Sequence, residues 1–380
     1  MIRYKFSRET DREFALTLKK RVNAYFKEQQ KPLTADNEMT VKVAIGFSAY
    51  LLLYAIIIGS GISNIPALFG LWFLMGFAKA FIGTSVMHDA MHGAFSRNKR
   101  VNLWMQLSAI MVGVDPKIWS IQHNVLHHTY TNIEHNDEDI ESRYIFRMTP
   151  HQPRRWFHAY QHIYAIVFYS IFTLIWITVK DLIKLIMYRK KKLVKKGLPF
   201  YQLLFMVLFR KALYLAVFLV TPLLVLEVPA GMVVMMFITM HLVAGVMLSI
   251  IFQSAHVMPS SSFKAPEGEK IDENWQVHQL LTTTNFDMKN RWLTWYIGGL
   301  NYQVEHHLFP NICHVHYPKI AKIVQQTTAE FNVPYYAQKN IFLAIFNHFN
   351  MLRLLGRNDA VPVANHTNIH FSKRYANSLE

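Results

Sequence analysis

The sequence predicts an all-α integral membrane protein, with four transmembrane helices, further helices lying in the plane of the membrane, and a cytoplasmic cap. Three observations carry this. Of 380 residues, 52% are hydrophobic and only 17% are charged. The apolar residues fall in blocks of roughly 20, the length that crosses the hydrocarbon core of a bilayer, rather than being spread along the chain. The formal charge of +16 comes from 40 Lys and Arg against 24 Asp and Glu. In a membrane chain such an excess marks the cytoplasmic side rather than a nucleic-acid partner.

Residues 1–40 have mixed charge (Arg8, Asp11, Arg12, Lys19, Lys20, Arg21) and no apolar core followed by a cleavage site, so they read as a cytoplasmic segment without a signal peptide. Residues 41–62 and about 65–87 are each long enough to span and are separated only by Ser63 and Asn64, which makes a transmembrane hairpin. A second hairpin covers roughly 203–226 and 230–252, joined by the Glu227-Val228-Pro229 turn, with Arg210 and Lys211 near its basic entrance. Ile163 to Tyr188 would also pass a hydropathy test, but it ends in Arg189-Lys190-Lys191-Lys192 with Lys195 and Lys196, a cytoplasmic signature. With both ends cytoplasmic it lies in the interface or dips and returns, like the shorter stretch Leu103 to Val114. The organisation is then a membrane domain with its cap over 41–325 and a C-terminal cytoplasmic segment over 326–380.

The single cysteine, Cys313, permits neither an internal disulfide nor a thiolate cage, so any metal is held by nitrogen and oxygen. Nineteen histidines are available. His88 and His92 follow the second span at i and i+4; His123, His127 and His128 stand at i, i+4 and i+5; Gln303, His306 and His307 at i, i+3 and i+4. On a helix such spacings put side chains on one face. His256 closes the fourth span at the depth expected for His88. One histidine pair is more often surface decoration than a metal site, but these groups all fall at one membrane face, and position and number together define a metal site. Eight imidazoles exceed one tetrahedral site and point to two metals. Imidazole suits iron, copper, zinc and nickel alike; a redox pair beside a hydrocarbon-filled bundle fits oxygen chemistry on an unactivated C–H bond, which zinc cannot perform, so iron is preferred.

Asp89, Asp137, Asp139 and Glu305 are placed to accept the second ring N–H of these histidines, as carboxylates near metals commonly do. The other eleven histidines lack such clustering and read as surface or interfacial groups. Trp275, Trp292 and Trp295 read as interface anchors rather than the wall of an acyl tunnel.

The series HDAMH, HNVLHH and QVEHH, with the flanking text YTNIEHNDED and GGLNYQVEHHLFPNICH, resembles the membrane fatty acid desaturase family over about residues 40–325. The resemblance implies four membrane helices under a cytosolic di-iron cap, with O2-dependent insertion of a double bond into a long-chain acyl-CoA or acyl-lipid. The ligands it implies are His88, His92, His123, His127, His128, His256, His306 and His307. A glutamine opening the third box resembles the front-end branch, which desaturates between an existing double bond and the carboxyl end; the residue stands where other members have histidine. No fused haem domain with a His-Pro-Gly-Gly signature is present and residues 1–40 are too short for one, so electrons are expected from a separate ferredoxin or cytochrome. The competing readings are a hydroxylase or ketolase on the same scaffold, and a metal transporter; the latter expects polar residues inside the spans, where His241 reads as nearly the only one.

Overall fold

The computed structural model describes residues 3–141, 145–194, 199–266 and 268–359. Lys195 and Lys196 of the basic run, and the segment from 360 onward with His366 and His370, lie outside the described residues. The chain is almost wholly helical and divides into two units, each assembled from separated stretches: Met1–Ala35, Gln122–Ala165 and Ile251–Glu380 in the first, Asp36–Ile121 and Ile166–Ile250 in the second.

The helices used below are α1 (Arg12–Glu28), α2 (Asn37–Gly59), α3 (Ile65–Met91), α4 (Trp156–Lys190), α5 (Phe200–Val225), α6 (Ala230–His256), α7 (Trp275–Thr282), α8 (Gln303–Leu308), α9 (Tyr317–Glu330) and α10 (Ile341–Arg357). Five of them, α2 to α6, are long and apolar enough to cross a membrane. Four are the spans expected from sequence. The fifth, α4, differs from a segment that dips and returns: it is one unbroken helix of 35 residues. No residue along it breaks the ladder, because the local irregularity at Trp176–Lys180 is a π turn, which keeps the helix continuous.

Local signals place the ends. Asp36 caps α2 by accepting from the Met39 amide (3.1 Å), and Asn64 caps α3 by accepting from Ala67 (2.9 Å). Apolar side chains on the outer faces remain exposed, Leu52 at 61% and Leu224 at 80%, which is stable only against lipid. Within the second unit α4 and α6 cross closely at Gly245: a Cβ there would meet the Ser170 carbonyl oxygen at 2.2 Å, so a small residue is required.

The interior of this unit is more polar than the sequence suggested, and His241 does not stand alone. Lys79 Nζ donates to the Tyr214 hydroxyl (2.6 Å), Tyr214 lies 3.0 Å from His241 Nε2, and Thr173 lies 2.9 Å from both Nδ1 and the carbonyl oxygen of His241. One assignment satisfies every group: Thr173 donates to the carbonyl, Nδ1–H donates to Thr173, and Nε2 accepts from Tyr214. Arg210 bonds Asp115 at 2.5 Å, and Lys211 bonds Asp181 and the carbonyls of Gly113 and Trp176. Sequence inspection undercounted these groups because single lysines in long apolar runs barely change the local hydropathy. Paired as they are, they bind helices to one another and offer no path for an ion.

The first unit is a separate core. Phe14, Leu18, Val22 and Phe26 of α1 pack on Ile320, Ala321 and Val324 of α9. Its two small parallel sheets are ties between distant segments: β1 (Lys5–Phe6) with β2 (Lys270–Ile271), and β3 (Asn285–Phe286) with β4 (Ala337–Gln338). Arg147 fastens α10 by donating to the Leu355 carbonyl (2.6 Å) and to Asn358 (2.9 Å). The C-terminal segment, through residue 359, is therefore part of this unit.

Candidate metal centre

Two of the three histidine boxes sit where the helix departs from α geometry. Ile82–Met87, just before His88, and Ile121–His127, holding most of the second box, are π-helical. The wider turn brings residues four apart almost into register, and the rings of His123 and His127 stack at 5.2 Å with their planes 24° apart. The α spacing read from sequence is thus replaced in this box by a π spacing, which sequence periodicity over six residues cannot distinguish.

In the first unit His123, His127, His128, His256, Gln303, His306 and His307 are all buried. Nitrogen atoms of His127, His256 and His307 approach one another within 4.8 Å, and so do those of His128, His306 and His307. The two trios share His307. A third grouping joins His123 and His127 to Asp139. His128 Nε2 and His123 Nε2 are 3.2 Å apart, so either one donates to the other or both lone pairs face one cation. His88 and His92 belong to the second unit, with ring centroids 4.8 Å apart and Trp119 edge-on against both.

The outer nitrogens of four of these rings, His127, His256, His306 and His307, are tied back. His127 Nδ1 lies 3.1 Å from both oxygens of Asp137, whose carboxylate is fixed by the Asn132 and Asp139 amides at 2.8 and 2.9 Å. His256 Nδ1 lies 3.2 Å from the Thr282 carbonyl, His307 Nδ1 2.8 Å from Gln279 Oε1, and His306 Nδ1 3.2 Å from the Tyr317 hydroxyl. With Nδ1–H donating outward, Nε2 presents its lone pair inward, the tautomer a metal needs. Among the described residues, Nε2 of His256, Nε2 of His307 and both amide atoms of Gln303 are buried without a hydrogen-bond partner. Buried polar atoms left unmatched cost about 1–3 kcal/mol each, and three of these, the two Nε2 atoms and the Gln303 oxygen, carry lone pairs that one kind of bound group would satisfy, whereas the Gln303 amide nitrogen is a donor. A cation with nitrogen and oxygen ligands is such a group.

Burial pushes His123 down to about 4 and His307 well below the usual histidine range, which leaves their lone pairs available at neutral pH. His127 goes the other way: burial opposes its charge, but Asp137 and Asp139 outweigh this and lift it to about 8.

Of the four expected carboxylate partners, Asp137 and Asp139 do face a ring; Asp139 lies 3.5 Å from His127 and 3.9 Å from His123. Glu305 does not. It is turned away onto Asn285 Nδ2 (2.8 Å) and the Tyr335 hydroxyl (2.9 Å), because successive residues of α8 point to different faces. Gln279, Thr282 and Tyr317 were not visible as partners from sequence, where nothing signals a tether made by a backbone carbonyl or a distant neutral side chain. Several histidines read as surface groups are instead buried, each with a partner: His278 with Glu273 (2.7 Å) and the Thr131 carbonyl (2.8 Å), His348 with the Val257 carbonyl (3.0 Å). Trp292 is 83% exposed, as an anchor would be, whereas Trp275 donates to the His128 carbonyl (3.2 Å).

A helical integral membrane protein with clustered, tautomer-fixed histidines is a membrane metalloenzyme in its general design. The fatty acid desaturase family model matches residues 63–339, and the chain belongs to that family. It is 35% identical over 349 residues to an acyl-lipid (8-3)-desaturase of Physcomitrium patens, covering 90% of this chain and 72% of that one. It is 32% identical over 345 residues to an sn-1 linoleoyl-lipid 6-desaturase of Arthrospira platensis, covering 91% and 93%, and 32% identical over 362 residues to the enzyme of that name from Synechocystis sp., covering 93% and 98%. The protein is an oxidoreductase, a fatty acyl desaturase, and the hydroxylase and transporter readings are not favoured.

Proposed function

We propose that the protein is a front-end desaturase acting on a linoleoyl-type acyl-lipid, with two irons held by His88, His92, His123, His127, His128, His256, Gln303, His306 and His307. The observation that carries the metal assignment is the pair of histidine trios meeting at His307, with Nδ1 tied outward and Nε2 inward. The regiochemistry rests on Gln303 opening the third box and on relatives named as linoleoyl-lipid 6-desaturases and (8-3)-desaturases. Those names favour an acyl-lipid over acyl-CoA. Two irons held by these residues would supply the oxidising chemistry for O2-dependent removal of one hydrogen from each of two neighbouring methylenes. The residues around them do the positioning: Asp137, Gln279, Thr282 and Tyr317 hold the rings in one orientation, and burial excludes water. Electrons come from a separate one-electron carrier.

Gln303 contributes its amide oxygen, to iron or to a water on it. Gln303→Leu removes that oxygen from a buried site, and a loss of about 1–3 kcal/mol corresponds to roughly a tenfold to hundredfold fall in product. Gln303→His retains part of the activity. The test is a host of defined lipids fed linoleate and stearate, with each new double bond located by mass spectrometry. A new bond between the carboxyl end and the existing unsaturation of linoleate is expected. New bonds confined to the middle of saturated chains, with linoleate untouched, would mean the front-end reading is wrong.

We place the metal ligands, both termini and the Arg189–Lys192 run on the cytoplasmic side, on the excess of basic residues there. With both ends of α4 on that side, α4 runs along the interface; the exposed Arg189 and Lys190 and the half-buried Lys180 in its second half suit headgroups better than hydrocarbon, while Asp181 is buried against Lys211. In a Cys313→Ser background, a cysteine at Lys191 should react only with reagents reaching the cytoplasm and one at Ser63 only from outside. Labelling of Lys191→Cys from outside would make α4 a fifth crossing and overturn this arrangement.

A further inference from the structure

We propose that reducing electrons enter through the basic surface at the start of α9, where a small acidic one-electron carrier protein docks. This deepens the desaturase reading and rests on it. The electron balance defines the need: RCH2CH2R + O2 + 2e− + 2H+ gives RCH=CHR + 2H2O. The acyl chain supplies two of the four electrons that dioxygen takes up, and the carrier supplies the other two, one at a time. A carrier that binds and leaves twice per double bond calls for a small, charge-steered contact.

The four outward tethers differ in where they lead. Asp137 lies buried in a loop whose partly exposed charged residues, Asp139 and Glu141, are acidic and do not attract an acidic partner. Gln279 and Thr282 lie in the part of α7 that is buried from Val277 onward. Tyr317 is different. Its hydroxyl is 3.2 Å from His306 Nδ1, and it is the first residue of α9, whose exposed Lys319 and Lys322 follow two and five residues later on one face.

The end of α1 adds to this surface. Phe26 packs edge-on against His316 at 5.3 Å, the Cys313 amide donates to the Leu33 carbonyl (2.8 Å), and His316 Nε2 lies 3.1 Å from the Thr34 carbonyl. These contacts bring the exposed Lys27 and Lys31 to the start of α9, with Glu28 the acidic residue among them. A cationic face therefore lies beside a buried phenol in hydrogen-bond reach of one imidazole of the candidate centre.

The experiment uses the iron-loaded, detergent-purified full chain with an acidic plant-type [2Fe–2S] ferredoxin and its reductase as electron source. For the double variant Lys319→Glu, Lys322→Glu the expected result is at least a tenfold rise in KM for ferredoxin and a flatter dependence on ionic strength, with iron content and KM for the acyl substrate unchanged. In a second arm, dithionite with a small viologen mediator replaces ferredoxin, and the variant should then match the unsubstituted enzyme. An unchanged KM for ferredoxin overturns the proposal, and so does an equal loss of product in both arms, which would assign the surface to lipid, substrate or folding. If the unsubstituted, iron-loaded enzyme forms no double bond with either electron source, the desaturase reading itself fails, an outcome distinct from the other two.

Discussion

His307→Ala is expected to abolish desaturation and to lower the bound iron. The reason is its place among the ring nitrogens of both trios, with His127 and His256 on one side and His128 and His306 on the other; with Nδ1–H donating to Gln279, its one remaining lone pair, on Nε2, would hold one cation. Removing the histidine also frees Gln279, whose Oε1 accepts from His307 (2.8 Å) and from Thr131 (2.9 Å), so the neighbouring second box loses part of its support. The flat stacking of His307 on His128, 4.3 Å between centroids and 20° between planes, goes with it. His127→Ala and His306→Ala, each in one of those trios, should likewise lower the bound iron, and because ligands act as a unit the losses should not add in double variants. Iron per chain by mass spectrometry, on protein shown to be membrane-inserted, together with product analysis, makes the comparison; His135→Ala, at a side chain 82% exposed, is the control. Wild-type iron and product in His307→Ala would remove it from the ligand set.

The second large effect is expected at a residue far from the boxes in sequence. Asn285 accepts from the Val304 amide (2.8 Å) and donates to Glu305 (2.8 Å), and Glu305 also accepts from Tyr335 (2.9 Å). The backbone of the same strand residue is held by β3 pairing with β4, two residues beyond Tyr335. Asn285, Glu305 and Tyr335 thus form a closed, buried clamp on α8, the helix that presents Gln303, His306 and His307. In Asn285→Ala the Val304 N–H and one Glu305 oxygen lose their partner together, at about 1–3 kcal/mol for each. The expected result is a lower unfolding midpoint in detergent and weaker iron retention against a chelator. Tyr335→Phe removes only one donor to Glu305 and should do less. Asn285→Ala with an unchanged midpoint and unchanged iron retention would show that α8 does not depend on this clamp.

The histidine boxes and His256 were legible because each is a local pattern or sits at the end of a long apolar run, both of which survive without knowledge of the fold. Asp137 was legible for the same reason, standing ten residues from His127. What sequence did not display is what depends on contacts between distant segments. Tyr317 and Gln279 are ordinary residues until α9 and α7 bring them to His306 and His307, and Glu305 beside two histidines looked like their partner until the turn of α8 pointed it elsewhere. The π turns escaped because a short stretch carries too few apolar residues to separate one helical period from another. Lys79 escaped because its acceptor Tyr214 and the His241 ring beside it lie 135 and 162 residues away.

That last separation bears on how the protein is made. Lys79 leaves the ribosome in the second apolar segment, yet Tyr214 and His241 belong to the fourth and fifth, so its ammonium has no acceptor when its own helix is ready to enter the bilayer. At about 5–20 residues per second of synthesis, the wait is on the order of ten seconds or more. An isolated lysine at the centre of a helix costs roughly 2.5–3.5 kcal/mol on insertion scales. Lys79 carries that cost until its partners arrive, and the polar knot that fastens the finished bundle can close only once α6 has been made.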